Sequence, residues 1–171
     1  MTDGVKKAME KFYASKKAQE LPKVKKKKSK STELTEEQIQ NRVVTAMRKL
    51  GLFVFHTPLN AGGRADAIQA SRDKRMGALR GTPDLVILDA PVEYKGVFWE
   101  IKKPKGRISP EQVDFMEKAS ALGWLCICCK GLQPNLDALE IIYGKQAGTR
   151  EEIIESLRET EGVHIVGQLL Q

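Results

Sequence analysis

Residues 80–112 read RGTPDLVILDAPVEYKGVFWEIKKPKGRISPEQ. Two apolar runs lie in this stretch, DLVIL from Asp84 and VFWEIKK from Val97, with DAPVEYKG between them. Each is short, rich in β-branched and aromatic residues, and bounded by Gly and Pro, which reads as two strands with a hairpin-like connection. An acid opens the first run, and Glu100 and Lys102 interrupt the second. Side chains alternate along a strand, so Phe98, Glu100 and Lys102 face one side and Val97, Trp99 and Ile101 the other. Glu100 and Lys102 are then neighbours roughly 7 Å apart. If the strands pair antiparallel, Asp84 lies beside Glu100. Buried charges are costly unless they are paired or hold a metal, and two converging carboxylates repel. A divalent cation removes that repulsion. A small set of hard oxygen ligands, with room for water and a phosphate, suits Mg²⁺. A lysine beside such a pair can orient an attacking water or stabilise charge on a phosphate. By spacing alone, a Glu-x-Lys on a strand is more often a solvated ion pair.

Outward from this stretch the pattern stays regular. Upstream, STELTEEQIQNRVVTAMRKLG reads as a helix. Thr35 is its N-cap with Gln38 completing a capping box, Ile39, Val43, Ala46, Met47 and Leu50 recur at helical spacing, and Gly51 ends it. LFVFH, from Leu52, reads as a buried strand broken by Pro58 and Gly62-Gly63, and residues 64–80 read as basic and partly helical. Downstream, Ser109 caps a helix that carries Pro110 at its first position. WLCICC follows as a strand, then helices over NLDALEIIYG and TREEIIESLRET and a final strand, VHIV. The order is helix, three strands, helix, strand, then helices. This predicts an α/β fold, a small mixed β-sheet flanked by helices.

The chain has 171 residues and a net charge of +7, unevenly distributed. Residues 1–32 hold 11 Lys and Arg against 3 acids, and the rest hold 18 against 19. A lysine-rich segment with little apolar content has no core to build, so residues 1–32 are expected to be a disordered basic tail, with a frayed helix near residues 5–18. Clustered lysines attract phosphates, which points to a nucleic-acid contact arm; a solubilising or localising tail is the plainer reading. No apolar run reaches the ~18 residues that span a membrane, and no secretory signal is expected. Cys126, Cys128 and Cys129 crowd into one apolar strand, which suits core packing and a reducing compartment better than a disulfide framework. His56 and His164 show no metal-ligand spacing. His56 is expected to be a structural histidine.

Pro83-Asp84 followed by Glu100-Ile101-Lys102 resembles the PD-(D/E)XK motif of metal-dependent nucleases. With GTPD, WEIKKPKGRISPEQ and ALGW in order and in the right flanking elements, residues 34–130 resemble one branch, the VRR-NUC domain. The resemblance implies a restriction-endonuclease-like core of order αβββαβ and phosphodiester hydrolysis with Mg²⁺ or Mn²⁺. Asp84 and Glu100 match the motif acids and, with the Ile101 carbonyl, would ligate the metal. Lys102 matches the motif lysine. Either Glu36 or Gln40 would face the metal from the first helix, and Gln112 would contact the site or the scissile strand. Lys74, Arg75, Arg80, Lys103, Lys105 and Arg107 surround the motif and would meet phosphates. Short standalone members of this branch, often from phages, look like dimeric endonucleases for branched DNA such as Holliday junctions and flaps. That implies a homodimer acting on DNA in the cytoplasm of a bacterial host.

The expected organisation is a tail over 1–32, a nuclease-like domain over 33–145 and a C-terminal helical extension over 146–171. Two other readings compete: a non-catalytic nucleic-acid-binding protein on the same fold, and an accessory protein that uses only its tail.

Overall fold

The computed structural model describes residues 33–57, 75, 77–145 and 147–167. The expected tail, the helical reading over most of 64–80, and Lys74 lie outside them. α1 (Glu36–Lys49) starts on a capping box: the Thr35 hydroxyl accepts from Gln38 N–H at 3.2 Å and Thr35 N–H donates to Gln38 Oε1 at 3.0 Å. Its buried stripe is Ile39, Val43, Ala46 and Met47, as the periodicity predicts, with Leu50 only partly covered. Gly51 stops the helix in the left-handed region, φ 78°.

β1 (Val54–His56), β2 (Leu85–Ile87), β3 (Val97–Lys102), β4 (Leu125–Lys130) and β5 (Val163–Ile165) form one sheet in chain order. β1, β2 and β3 pair antiparallel in succession, β3 and β4 are parallel, and β5 returns antiparallel to β4. A parallel step needs a crossover, and α2 (Pro110–Ala121) supplies it between β3 and β4. β1 is not the buried strand expected from LFVFH. It is a sheet edge, with Phe53 64% and Phe55 43% exposed. Apolar composition alone does not tell an edge strand from a central one.

α3 (Leu132–Tyr143) follows β4 directly and begins earlier than NLDALEIIYG suggests. Pro134 is tolerated in its first turn because N–H groups there have no intrahelical partner. α4 (Arg150–Glu159) is capped by Thr149. The segment expected as a C-terminal extension thus holds one helix and one strand, and Ile153, Leu157 and Val163 join the same core as Val43 and Trp99.

The β3 alternation divides the interior in two. Val97, Trp99 and Ile101 pack in the larger cluster with residues of α1, α3 and α4. Phe98 faces the opposite side, against Met116, Phe115, Cys126 and Trp124 under α2. The buried Trp99 indole donates to Asn135 Oδ1 at 2.6 Å, so the core carries this polar pair satisfied. Helices therefore cover both faces, and α2 leaves the Lys102 end of its face partly open. Among the described residues no helix is long and apolar enough to cross a membrane.

Candidate active site

The β2–β3 register sets Leu85 opposite Trp99, which places Asp84, one residue earlier, opposite Glu100. Four hydrogen bonds pin Asp84. Its N–H donates to Glu100 Oε2 at 3.2 Å, and its Oδ2 accepts from Ile101 N–H at 2.9 Å. Its carbonyl accepts from Thr57 N–H at 3.1 Å and lies 2.9 Å from His56 Nδ1. A carbonyl only accepts, so this contact is a hydrogen bond in the tautomer that carries its proton on Nδ1. Gln40 Nε2 lies 3.0 Å from the same Nδ1 and donates to it in the other tautomer. Thr57 also donates its hydroxyl to the Pro83 carbonyl. The sequence offers no local signal for this bracing, because β1 and β2 meet across a long separation.

Glu100 is fully buried. Oε1 takes the Lys102 ammonium at 2.5 Å and the Gln112 side-chain amide at 2.5 Å. Burial and then the charge of Asp84 push the Glu100 pKa up to about 7, against the opposing pull of Lys102. Burial draws the Lys102 ammonium down, but its hydrogen bond to Glu100 and the charges of Glu100, Asp84 and Glu36 outweigh this, and its pKa rises. Glu100 thus keeps Lys102 charged, while Lys102 only partly offsets the burial and the Asp84 charge that favour the neutral carboxyl.

Gln112 reaches this pair because of where α2 begins. Ser109 is the N-cap, its hydroxyl accepting from Gln112 N–H at 3.2 Å, and Gln112 Oε1 accepts from Ser109 N–H at 2.9 Å. The amide oxygen completes a capping box while the amide nitrogen serves Glu100. The turn before Asp84 is pressed against the same helix end. Gly81 has φ 78°, and a Cβ there would stand 2.1 Å from the Glu111 carbonyl oxygen. The glycine of GTPD is thus required both by conformation and by close approach.

Glu36 and Gln40 both come to this end of the sheet, by different routes. Glu36 Oε1 accepts from Lys103 N–H at 3.2 Å, next to Lys102, whereas Gln40 touches His56. Among the described residues no three His, Cys, Asp or Glu side chains converge as a metal cluster. The donor set is the Asp84–Glu100 pair with polar groups around it. Two converging hard-oxygen carboxylates, one of them buried and pressed toward neutrality by the other, suit a divalent cation such as Mg²⁺ or Mn²⁺. Arg75, Arg80, Lys103, Lys105 and Arg107 are exposed, and none forms an ion pair among the described residues. The cysteines of β4 are buried, with the Cys126 and Cys128 thiols pushed up to about 12 by burial, which keeps them inert.

No protein-family model matches this chain. No curated protein matches it either. A solved structure described as a VRR_NUC domain protein does, at 27% identity and a TM-score of 0.56, over 70% of this chain and 94% of that one. This likeness supports a VRR-NUC domain in the chain. The TM-score shows agreement in fold, and the likeness supports a nuclease-domain family in general. Asp84, Glu100, Lys102 and Gln112 come from the start of β2, from β3 and from α2.

Proposed function

We propose that this protein is a metal-dependent endonuclease of the PD-(D/E)XK kind that hydrolyses DNA phosphodiester bonds, preferring branched substrates such as Holliday junctions or flaps. The observation that carries this reading is the meeting of Asp84, Glu100, Lys102 and Gln112 on the frame of a VRR-NUC domain. Asp84 and Glu100, with the Ile101 carbonyl, would hold Mg²⁺ or Mn²⁺, and Glu36 or Gln40 would complete the set from α1. The ion, when bound, supplies neutralisation of phosphate charge and acidification of water. The residues do the rest. Gln112 fixes the Glu100 carboxylate through one oxygen. Lys102, only partly buried, can turn its ammonium from Glu100 to a phosphate oxygen or to the attacking water. The exposed cations at Arg80, Lys103, Lys105 and Arg107 would meet the flanking phosphates.

A two-fold symmetric junction is served best by a two-fold symmetric protein, so a homodimer is part of the proposal. Light scattering that shows only monomer at every concentration would remove that part. The central test is cleavage of a four-way junction, a flap, plain duplex and single strands with Mg²⁺, Mn²⁺ or EDTA, beside Asp84→Ala and Lys102→Ala proteins. Metal-dependent cutting of branched DNA, abolished in both variants while binding persists, is expected. Tight binding with no cutting of any substrate would favour the non-catalytic reading.

A further inference from the structure

The side of the sheet that holds Glu100 continues past β3, buried at Glu100 and Cys128 and partly open at Lys102 and Lys130. Lys102 and Lys130 are direct partners on the parallel strands β3 and β4. Cys128, on the same face of β4 two residues earlier, is the partner of His164 on β5. The face that holds Glu100 thus carries Lys102, Lys130 and His164 on three adjacent strands. Like charges on directly opposed positions are destabilising. Lys102 is neutralised by Glu100, but Lys130 has no ion pair among the described residues. Beyond it His164 is exposed, and partial burial of its ring together with the charge of Lys130 lowers its pKa. At the β5 edge His164 borders a shallow depression of about 250 Å³ shared with Val163, Ile165 and Arg158, which comes from α4 on the other face of the sheet; the exposed Arg158 is likewise without an ion pair among the described residues. A free protein gains nothing from such a row; a polyanion laid across it would.

We propose that Lys130, His164 and Arg158 form a phosphate track along which one nucleic-acid strand leaves the catalytic pair and crosses β4 and β5. This rests on the nuclease reading for its origin at Lys102. Strands are ~4.8 Å apart, so two strand spacings cover ~10 Å, or roughly three nucleotides at 3.4 Å of rise each. The track therefore grips a short segment on one side of the scissile phosphate. It differs from the basic residues around the motif, which lie on the β3–α2 link and before β2.

The test is fluorescence anisotropy of the full chain with labelled flap and single-stranded DNA in EDTA, across a salt series. Lys130→Gln with Arg158→Gln is compared with wild type, and the single Arg158→Glu, at an exposed helical position, guards against misfolding of the double variant. Each phosphate no longer neutralised lowers the slope of log affinity against log salt by ~0.7–0.9, so the slope of the double variant should fall by ~1.5. Shortening the DNA by three nucleotides on one side of the cut should erase the difference between the proteins, and shortening it on the other should not. A wild type that binds and cuts, with unchanged slope and affinity in both variants, would overturn the track and leave the nuclease standing. A reduced slope in a protein that never cuts would keep the track and sink the nuclease. Absence of DNA binding by wild type would remove both.

Discussion

Replacing Glu100 by Gln should stabilise the metal-free protein in a pH-dependent way while destroying its proposed activity. Glu100 is fully buried, and its pKa stands near 7 against 4.5 for the ordinary side chain, burial being the main cause and Asp84 the second. A carboxyl whose folded pKa is raised favours folding when protonated and opposes it when ionised. Its cost is absent below the unfolded pKa, grows between 4.5 and 7, and is complete above 7. At 1.36 kcal/mol per unit, the cost is ~0.8 kcal/mol at pH 5 and ~3.4 kcal/mol at pH 8. Lys102 stays charged through this window because its pKa is raised from 10.5. The glutamine keeps an oxygen for the Gln112 amide, so the local structure should survive. The stability difference between variant and wild type should therefore grow by ~2.5 kcal/mol from pH 5 to pH 8, whatever constant offset comes from removing the Lys102 ion pair. The assay is urea unfolding of both proteins in EDTA at the two pH values. With a slope near 2 kcal/mol/M, the midpoint gap should widen by ~1 M. A gap that stays constant with pH would show that Glu100 is not held above its ordinary range, and the electrostatic account of the site would fail with it.

Gln112→Leu should destabilise by ~1–3 kcal/mol in chemical melts at pH 8, because it opens the α2 capping box and strips a donor from a buried carboxylate; an unchanged melt would deny Gln112 its double role. Gly81→Ala should cost ~2–4 kcal/mol, combining a left-handed backbone with displacement of the Glu111 carbonyl, and reduce any cleavage by shifting Asp84. His56→Ala, which frees the Asp84 carbonyl from its side-chain donor, should cost ~1 kcal/mol of stability and lower cleavage more than DNA binding. Removing residues 1–32 should weaken DNA binding and flatten its salt dependence while leaving the chemistry, as read from cleavage at saturating protein in low salt.

How much of this was legible beforehand follows the range of the interactions. The Thr35 capping box and the Ser109 cap were visible because their signals lie within three residues, whereas the box that Gln112 completes with Ser109 was not read. The β3 alternation was visible for the same reason, and it foretold that Glu100 and Trp99 look opposite ways. Asp84 beside Glu100 needed only the assumption of a hairpin. The exposure of β1 was not legible, since Phe53 and Phe55 look apolar whether or not anything covers them, and coverage is decided by the place of the strand in the sheet. Nor was the entry of α4 and β5 into the main core: Ile153 and Val163 carry helical and extended patterns that say nothing of their distant partners. The His56 bracing of Asp84 lay in the same blind spot.

The same residues also bear on how two facing carboxylates are folded into one site. Two carboxylates facing each other in a half-buried place would oppose folding, yet here one of them is held by an ammonium and an amide at 2.5 Å each. Lys102 thus offsets at Glu100 part of the repulsion that the proposed reading assigns a divalent ion to remove. The two roles exclude each other at Glu100 Oε1, since a carboxylate oxygen crowded by an ammonium and an amide has little room for a third partner. Release of Lys102 from that oxygen is what would make its charge available to a phosphate. On this view the Glu-x-Lys spacing serves both states: two residues along one strand face is close enough for the ion pair and far enough for the lysine to swing away. Asp84, anchored by hydrogen bonds to Ile101, Thr57 and Glu100, stays in place in both.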